Sequence, residues 1–359
     1  MTLGRLDGRA AAALVFTLLL SATAWAAAQT ADDGLERGRQ LLSSGDAAGA
    51  AAALKSAAER RKSDADAWYY YGLALTRTNK ARDARKAFER AAQLRPDWPE
   101  AQTGIAFALL MLGKEREAEA SARRAFASAP GHGEAHYVLG IVRFREEKFE
   151  AALAEAEAAL RGKPDFPAAA YLAGDALLNL YFGEGERQAQ LHTAGVGPYE
   201  QRLALEQREP ALAPLRTRML GLADRLEAFA AARPNAPEAA VWREQAETLR
   251  MYGRPPSAGG DPGVVLRANE VTTKAVIHSK PHPSFTEEAR QNNTTGTVRL
   301  RAVLGADGRV RNVVAVRRLP DGLTEACVAA ARQIRFTPAT LNGRPVSQFV
   351  LLEYAFNVR

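Results

Sequence analysis

The residues able to do chemistry are few, and their spacing suits it poorly. His132 and His136 stand four apart, a separation that on one helix face would offer two imidazoles to a metal. Pro130 and Gly131 precede them and place His132 in a loop, so a shared face is not expected. His278 and His282 flank Pro281 in an extended stretch. The single cysteine, Cys327, excludes an intramolecular disulfide framework and any four-cysteine zinc or iron–sulfur site. It falls on the inward stripe of a helix, where a thiol behaves as a small buried hydrophobe. No zinc-protease helix, phosphate loop or nucleophile elbow is present. Asn292 and Asn293 open N-x-T sequons, which matter only in a glycosylating pathway. The expectation is a protein without an active site, cofactor or metal.

Charge is distributed unevenly. The 359 residues carry a formal net charge of +7, and all of it belongs to residues 264–359, where fourteen Lys/Arg face seven Asp/Glu. Arg299, Arg301, Arg309, Arg311, Arg317 and Arg318 are expected to cluster on one hairpin. Such a basic patch suits acidic segments, an anionic envelope surface or other polyanions, or is simply a solvated sheet face. Nucleic acid is not expected, because no aromatic platform is interleaved with the arginines. Hydrophobic residues at 47% and charged residues at 25% are ordinary for a globular chain and exclude a largely disordered or multi-span protein.

Among the elements that must position these residues, the first segment reads as an address. Residues 1–28 combine Arg5 and Arg9, an apolar run from Ala11 to Leu20, and the small-residue strings Ala24-Trp25-Ala26 and Ala26-Ala27-Ala28. These are the parts of a cleavable export signal. Because no charge appears between Arg9 and Asp32, an uncleaved span also fits, about 20 residues sufficing to cross a bilayer. Either outcome places the remainder outside the cytoplasmic membrane.

A period of 34 residues fills the middle of the chain. Gly38, Gly72, Ala106, Gly140 and Gly174 form one column, Ala50, Ala84, Ala118 and Ala152 another, and Pro96, Pro130 and Pro164 a third. Small residues recur where helices approach closely, and each proline stops a helix before the next unit. The unit at 65–98, with Trp68, Gly72, Ala84, Phe88, Ala91 and Pro96, resembles the tetratricopeptide repeat. Units read as 31–64, 65–98, 99–132 and 133–166, with the first helix of a fifth at 167–182. The resemblance implies an all-α solenoid of helix hairpins spanning 31–182. It also implies a concave groove formed by first helices, with Tyr69, Phe107, Met111, Tyr137, Phe144 and Tyr171 facing a peptide or helix ligand. Packing between neighbouring helices is the plainer role for the same residues.

After Tyr181 the period fails. Residues 183–252 are expected to hold an irregular insertion from Gly183 to Pro210, with a short helix around Tyr199–Gln207, and then two capping helices near 211–232 and 237–252. Gly253–Gly263, rich in Gly and Pro, reads as a linker.

From Val264 the periodicity changes to that of strands. Val298, Leu300, Ala302 and Leu304 alternate with Thr297, Arg299 and Arg301, which predicts a strand with one buried face. Gly305-Ala306-Asp307-Gly308 turns the chain into a second strand, a helix follows over Asp321–Ile334, and Val346–Val358 closes the sheet. Residues 264–359 thus predict a small α+β domain, a three-stranded antiparallel sheet with helices on one face. The strings at Lys280–Arg290, Gly296–Val316 and Arg332–Val346 resemble the TonB C-terminal domain, with Phe285 where a tyrosine is common. That resemblance implies a bacterial cell envelope and binding of an extended partner segment by strand addition. The implied edge is Val346, Gln348, Val350, Leu352, Tyr354 and Phe356, with Arg335, Phe336 and Pro338 nearby. A long edge has to be managed, so coverage by the chain itself is the other reading.

The chain is therefore expected to be a multidomain, non-catalytic interaction protein of the periplasm, binding protein partners. The alternative is an energy transducer held in the inner membrane by an uncleaved single-pass helix and coupled to outer-membrane receptors for transport. Against it stand the missing proline-rich spanning segment and the absence of histidine in residues 10–28. Sequence leaves the oligomeric state, partner and cargo open.

Overall fold

In the computed structural model the described residues are 34–193, 210–254 and 265–357. Both the export-signal expectation and the linker expectation beyond Arg254 fall outside them. Among the described residues no helix is long and apolar enough to cross a membrane. The chain divides into two compact units at Val142/Arg143.

The first unit is a run of helix hairpins: α1 (34–44), α2 (Ala47–Arg60), α3 (Ala65–Arg77), α4 (Ala81–Leu94), α5 (Pro99–Met111), α6 (Glu115–Ser128) and the start of α7 (Gly133–Arg145). Local chemistry sets the boundaries. Asp46 accepts from the Gly49 amide and Asp64 from those of Asp66 and Ala67, so each supplies an N-cap. Pro99 opens α5, where its missing N–H costs nothing. Gly72 does what its column of small residues implies, and Gly104, outside that column, does the same. A Cβ on Gly72 would lie 2.7 Å from the Phe88 ring, and one on Gly104 would lie 2.5 Å from it. Phe88, 1% exposed, therefore fills the space that α3 and α5 leave bare, and Leu75, Ile105 and Leu109 complete that core.

The second unit begins with the end of α7 and continues through α8 (Phe149–Gly162), α9 (Pro167–Thr193), a 3-10 turn (Pro210–Leu212), α10 (Ala213–Ala232) and α11 (Ala239–Gly253). Helix α9 runs eleven residues past the expected end at 182, which corrects the insertion predicted to begin at Gly183. Glycine lowers helix stability by only about 1 kcal/mol and no proline intervenes before Pro198, while Glu184 and Arg187 pair one turn apart. The short helix expected at Tyr199–Gln207 lies outside the described residues. Helices α10 and α11 pack on α9. Gln245 of α11 donates to the Tyr171 carbonyl at 2.8 Å and to the Asp175 carboxylate at 2.9 Å.

The rest of this unit is the α+β domain: β1 (Val276–Ser279), α12 (Glu287–Gln291), β2 (Gly296–Leu304), β3 (Val310–Arg317), α13 (Leu323–Ala331), β4 (Arg335–Thr337), β5 (Ala339–Leu341), β6 (Arg344–Val346) and β7 (Gln348–Phe356). The main sheet is antiparallel in the order β3-β2-β7, and β1–β4 and β5–β6 form two short ribbons. One face carries Val298, Leu300, Leu352, Tyr354 and Phe356 against Leu323, Cys327 and Ile334 of the helical layer. Val346 is not part of the closing strand. The Asn342-Gly343 turn, with φ of +52° and +78°, folds it back into β6 opposite Ala339.

The other face differs from the expected alternation. Val303, Phe349 and Arg301 are 2%, 6% and 7% exposed, so β2 is buried on both sides from Leu300 onward. The cover comes from the array's last helices. The Tyr252 and Phe349 rings lie 5.8 Å apart, and the Arg301 guanidinium stacks 4.2 Å above Phe182. Asn312 donates to the Thr248 hydroxyl at 2.9 Å, and Arg332 meets both Glu244 oxygens at 3.0 Å.

Candidate functional site

With both faces covered, the rim is where the sheet can still accept a neighbour. Strand β3 closes one side and β7 the other. Along β7 successive main-chain groups point alternately toward β2 and away from it. Phe349 N–H donates outward to the Leu266 carbonyl, and Ser347 C=O accepts outward from Leu266 N–H, both at 2.9 Å. The outward set is therefore the odd-numbered one. This moves the expected edge by one residue: the main-chain groups of Gln348, Val350, Leu352, Tyr354 and Phe356 are directed at β2, in unbroken register from Gln348 against Leu304 to Phe356 against Gly296. Leu351, Glu353 and Ala355 present the outer rim.

The chain itself guards the start of that rim. Leu266 bridges Gln348 in parallel, and the Gln348 amide oxygen accepts from Ala275 N–H at 2.8 Å. Farther along, Lys280 Nζ reaches the Glu353 carbonyl at 2.5 Å and lies 4.4 Å over the Tyr354 ring. A lysine laid across an edge is a common guard against unwanted pairing. Among the described residues no strand pairs with β7 on this side beyond the bridge at Leu266.

The arginines do not gather into one patch. Arg309 and Arg311 sit at the exposed hairpin tip, Arg311 paired with Asp307. Arg318 pairs with Glu325 at 3.3 Å and covers the Phe144 ring at 5.0 Å. Arg299, Arg301 and Arg317 instead border a cavity on the sheet's second face, with Arg299 bonded to Glu353 at 2.7 Å. Residues that could do chemistry stay apart. His132 lies 3.4 Å from the Thr103 hydroxyl, while His136 faces the Pro130 carbonyl at 3.1 Å. His278 bonds the Thr337 hydroxyl at 2.6 Å, and His282 is exposed. Among the described residues no three His, Cys, Asp or Glu side chains come together as a metal site would need. Burial pushes the Cys327 thiol up to about 12, away from the reactive thiolate.

Comparison with known proteins assigns both parts. Residues 281–358 match the family of the Gram-negative bacterial TonB protein C-terminal region, and 35–101, 103–165 and 137–191 match tetratricopeptide repeats. The chain carries a tetratricopeptide array and a TonB C-terminal domain. No curated protein compared with it matches. Similar solved structures include MamA of Desulfovibrio magneticus RS-1, at 21% identity over 50% of this chain and 97% of that one, with a TM-score of 0.36. PilF of Pseudomonas aeruginosa is 18% identical over 61% and 98%, with a TM-score of 0.39. A thermophilic TPR protein of Thermus thermophilus is 16% identical over 55% and 98%, with a TM-score of 0.40. Tetratricopeptide and TonB C-terminal modules together make the chain a scaffold for protein–protein interaction.

Of the six residues expected to line a groove, four belong to the first unit. Tyr69 is half-buried against the core, its ring 4.6 Å from that of Trp98 and 5.7 Å from that of Phe88. Burial raises its phenol well above the usual tyrosine range. Phe107 and Met111, four apart on α5, and Tyr137 on α7 are half-buried. The other two lie in the second unit. Phe144 is 9% exposed, packed on Phe149 at 5.3 Å beneath Arg318 of the TonB domain, so its own chain takes the surface expected for a ligand. Tyr171 is half-buried beside Asp175, whose carboxylate, with burial, raises the phenol.

Proposed function

We propose that this chain is a non-catalytic cell-envelope adaptor whose TonB domain captures an extended segment of a partner protein by strand addition on β7, while the TPR array carries a second protein contact. One observation supports the reading above the others: beyond Leu266, the outward main-chain groups of Leu351 and Ala355 meet no strand among the described residues. Added strands gain affinity from main-chain hydrogen bonds and specificity from alternate side chains. The Gram-negative family of the domain supports a periplasmic site of action.

Proline at an outward position tests this cleanly, because it removes a donor that β2 does not use. Peptides selected from a displayed random library against the purified chain supply the ligand. Leu351→Pro and Glu353→Pro should weaken such peptides at least tenfold while the melting temperature stays within a few degrees. Leu352→Pro should unfold the domain, since its N–H serves β2. Undiminished peptide affinity in the folded Leu351→Pro and Glu353→Pro proteins would refute strand addition at β7.

A further inference from the structure

A cavity of about 870 Å3 opens between the second face of the sheet and helices α8, α9 and α10. Arg299 and Arg301 border it from β2, Arg317 from the end of β3, Arg187 from α9 and Arg218 from α10. Against these five guanidinium groups the wall carries two acids, Glu150 and Glu184. Apart from Asn179 the remainder is apolar, chiefly Phe149, Phe182, Leu215 and Leu351. The volume falls in the range of about 300–1,000 Å3 typical of small-molecule sites, which pair apolar walls with a few convergent polar groups.

The arginines differ in what holds them. Arg301 lies over the Phe182 ring, 4.2 Å from its centroid. Arg187, Arg218 and Arg299 are each paired with one acid at the surface, Glu184, Glu157 and Glu353. Arg317 is exposed at the end of β3, and no ion pair holds it among the described residues. Surface ion pairs contribute little, so these side chains can turn to a bound anion at small cost. A recess whose lining carries more guanidinium than carboxylate groups also concentrates anions. An inorganic ion alone would leave the apolar walls unused.

We infer that this cavity binds a small amphiphilic anion, a carboxylate, sulfonate or phosphate ester carrying an apolar body. The inference does not rest on strand addition: the cavity lies on the face of the sheet, where it shares the Leu351 side chain but uses none of the outward main-chain groups of β7.

The probe is 8-anilinonaphthalene-1-sulfonate, titrated by fluorescence into the full chain and competed with octyl phosphate or with 1-octanol. Octyl phosphate should displace the dye at least tenfold more effectively than octanol. Arg187→Glu combined with Arg317→Glu should weaken dye and octyl phosphate at least tenfold with unchanged circular dichroism, and the paired glutamine variants should show a smaller loss in the same direction. Equal competition by octanol, or parental affinity in both double variants, would overturn the inference. Displacement by polyglutamate but not by octyl phosphate would overturn it in favour of an acidic polypeptide.

Discussion

Asp175 shows what one side chain contributes where helices meet. Burial pushes its carboxyl up to about 6, only partly offset by Arg318 and by the bond from Gln245. An acid whose folded-state pKa is raised stabilises the fold fully below its unfolded value near 4, and that contribution is lost as pH rises through about 6. Asp175→Asn should therefore stabilise the second unit at pH 7.5 by about 1–3 kcal/mol and do little at pH 4, read by urea denaturation at both pH values. Phe88 gives a second test at this scale. Phe88→Ala should cost about 3–5 kcal/mol in the first unit. Gly104→Ala should cost about 1–3 kcal/mol by overpacking, both measured from thermal melts. Gly72 belonged to a visible column of small residues, so its close approach could be read in advance. Gly104 stands outside that column, and nothing in its spacing announced the ring it faces. Asp175 was equally silent, because the partner that encloses it, Gln245, lies seventy residues later.

Among the elements, helices set by a repeat were legible and single-strand directions were not. The alternation of Val298, Leu300, Ala302 and Leu304 identified β2 and one buried face, but Arg299 and Arg301 suggested that the opposite face was wet. Arginine satisfies both conditions, since its apolar stem and flat head can lie on Phe182 as well as in water. Edge parity was likewise hidden, because side-chain pattern tells which face a residue takes and not which neighbour its amide serves. Hydrogen exchange on the free chain checks that parity without any partner. The amides of Leu351 and Ala355 should exchange at least a hundredfold faster than those of Val350, Leu352 and Tyr354, and comparable protection along the whole strand would contradict the outward assignment. Helix α9 was underestimated for a different reason: Gly183 and Gly185 weaken a helix without ending it.

For the whole molecule, domain content was legible from the 34-residue period and the closing α+β pattern, whereas the contacts within the second unit were not. Tyr252, Thr248 and Glu244 look in sequence like parts of any capping helix, yet they meet Phe349, Asn312 and Arg332. Removing residues 255–359 should accordingly lower the melting temperature of the second unit's helices by several degrees and leave the first unit unchanged, as followed by hydrogen exchange of α11 and α4. The ring of Phe88 carries a last consequence for how such a chain can be rebuilt. One period after Gly104 stands Val138, so the modules share a length without sharing a mould. If the block 133–166 were grafted directly behind 65–98, a branched side chain would meet the phenyl group where hydrogen now sits. Shuffled or duplicated versions of this solenoid should therefore fold only where the block following 65–98 retains glycine at that place.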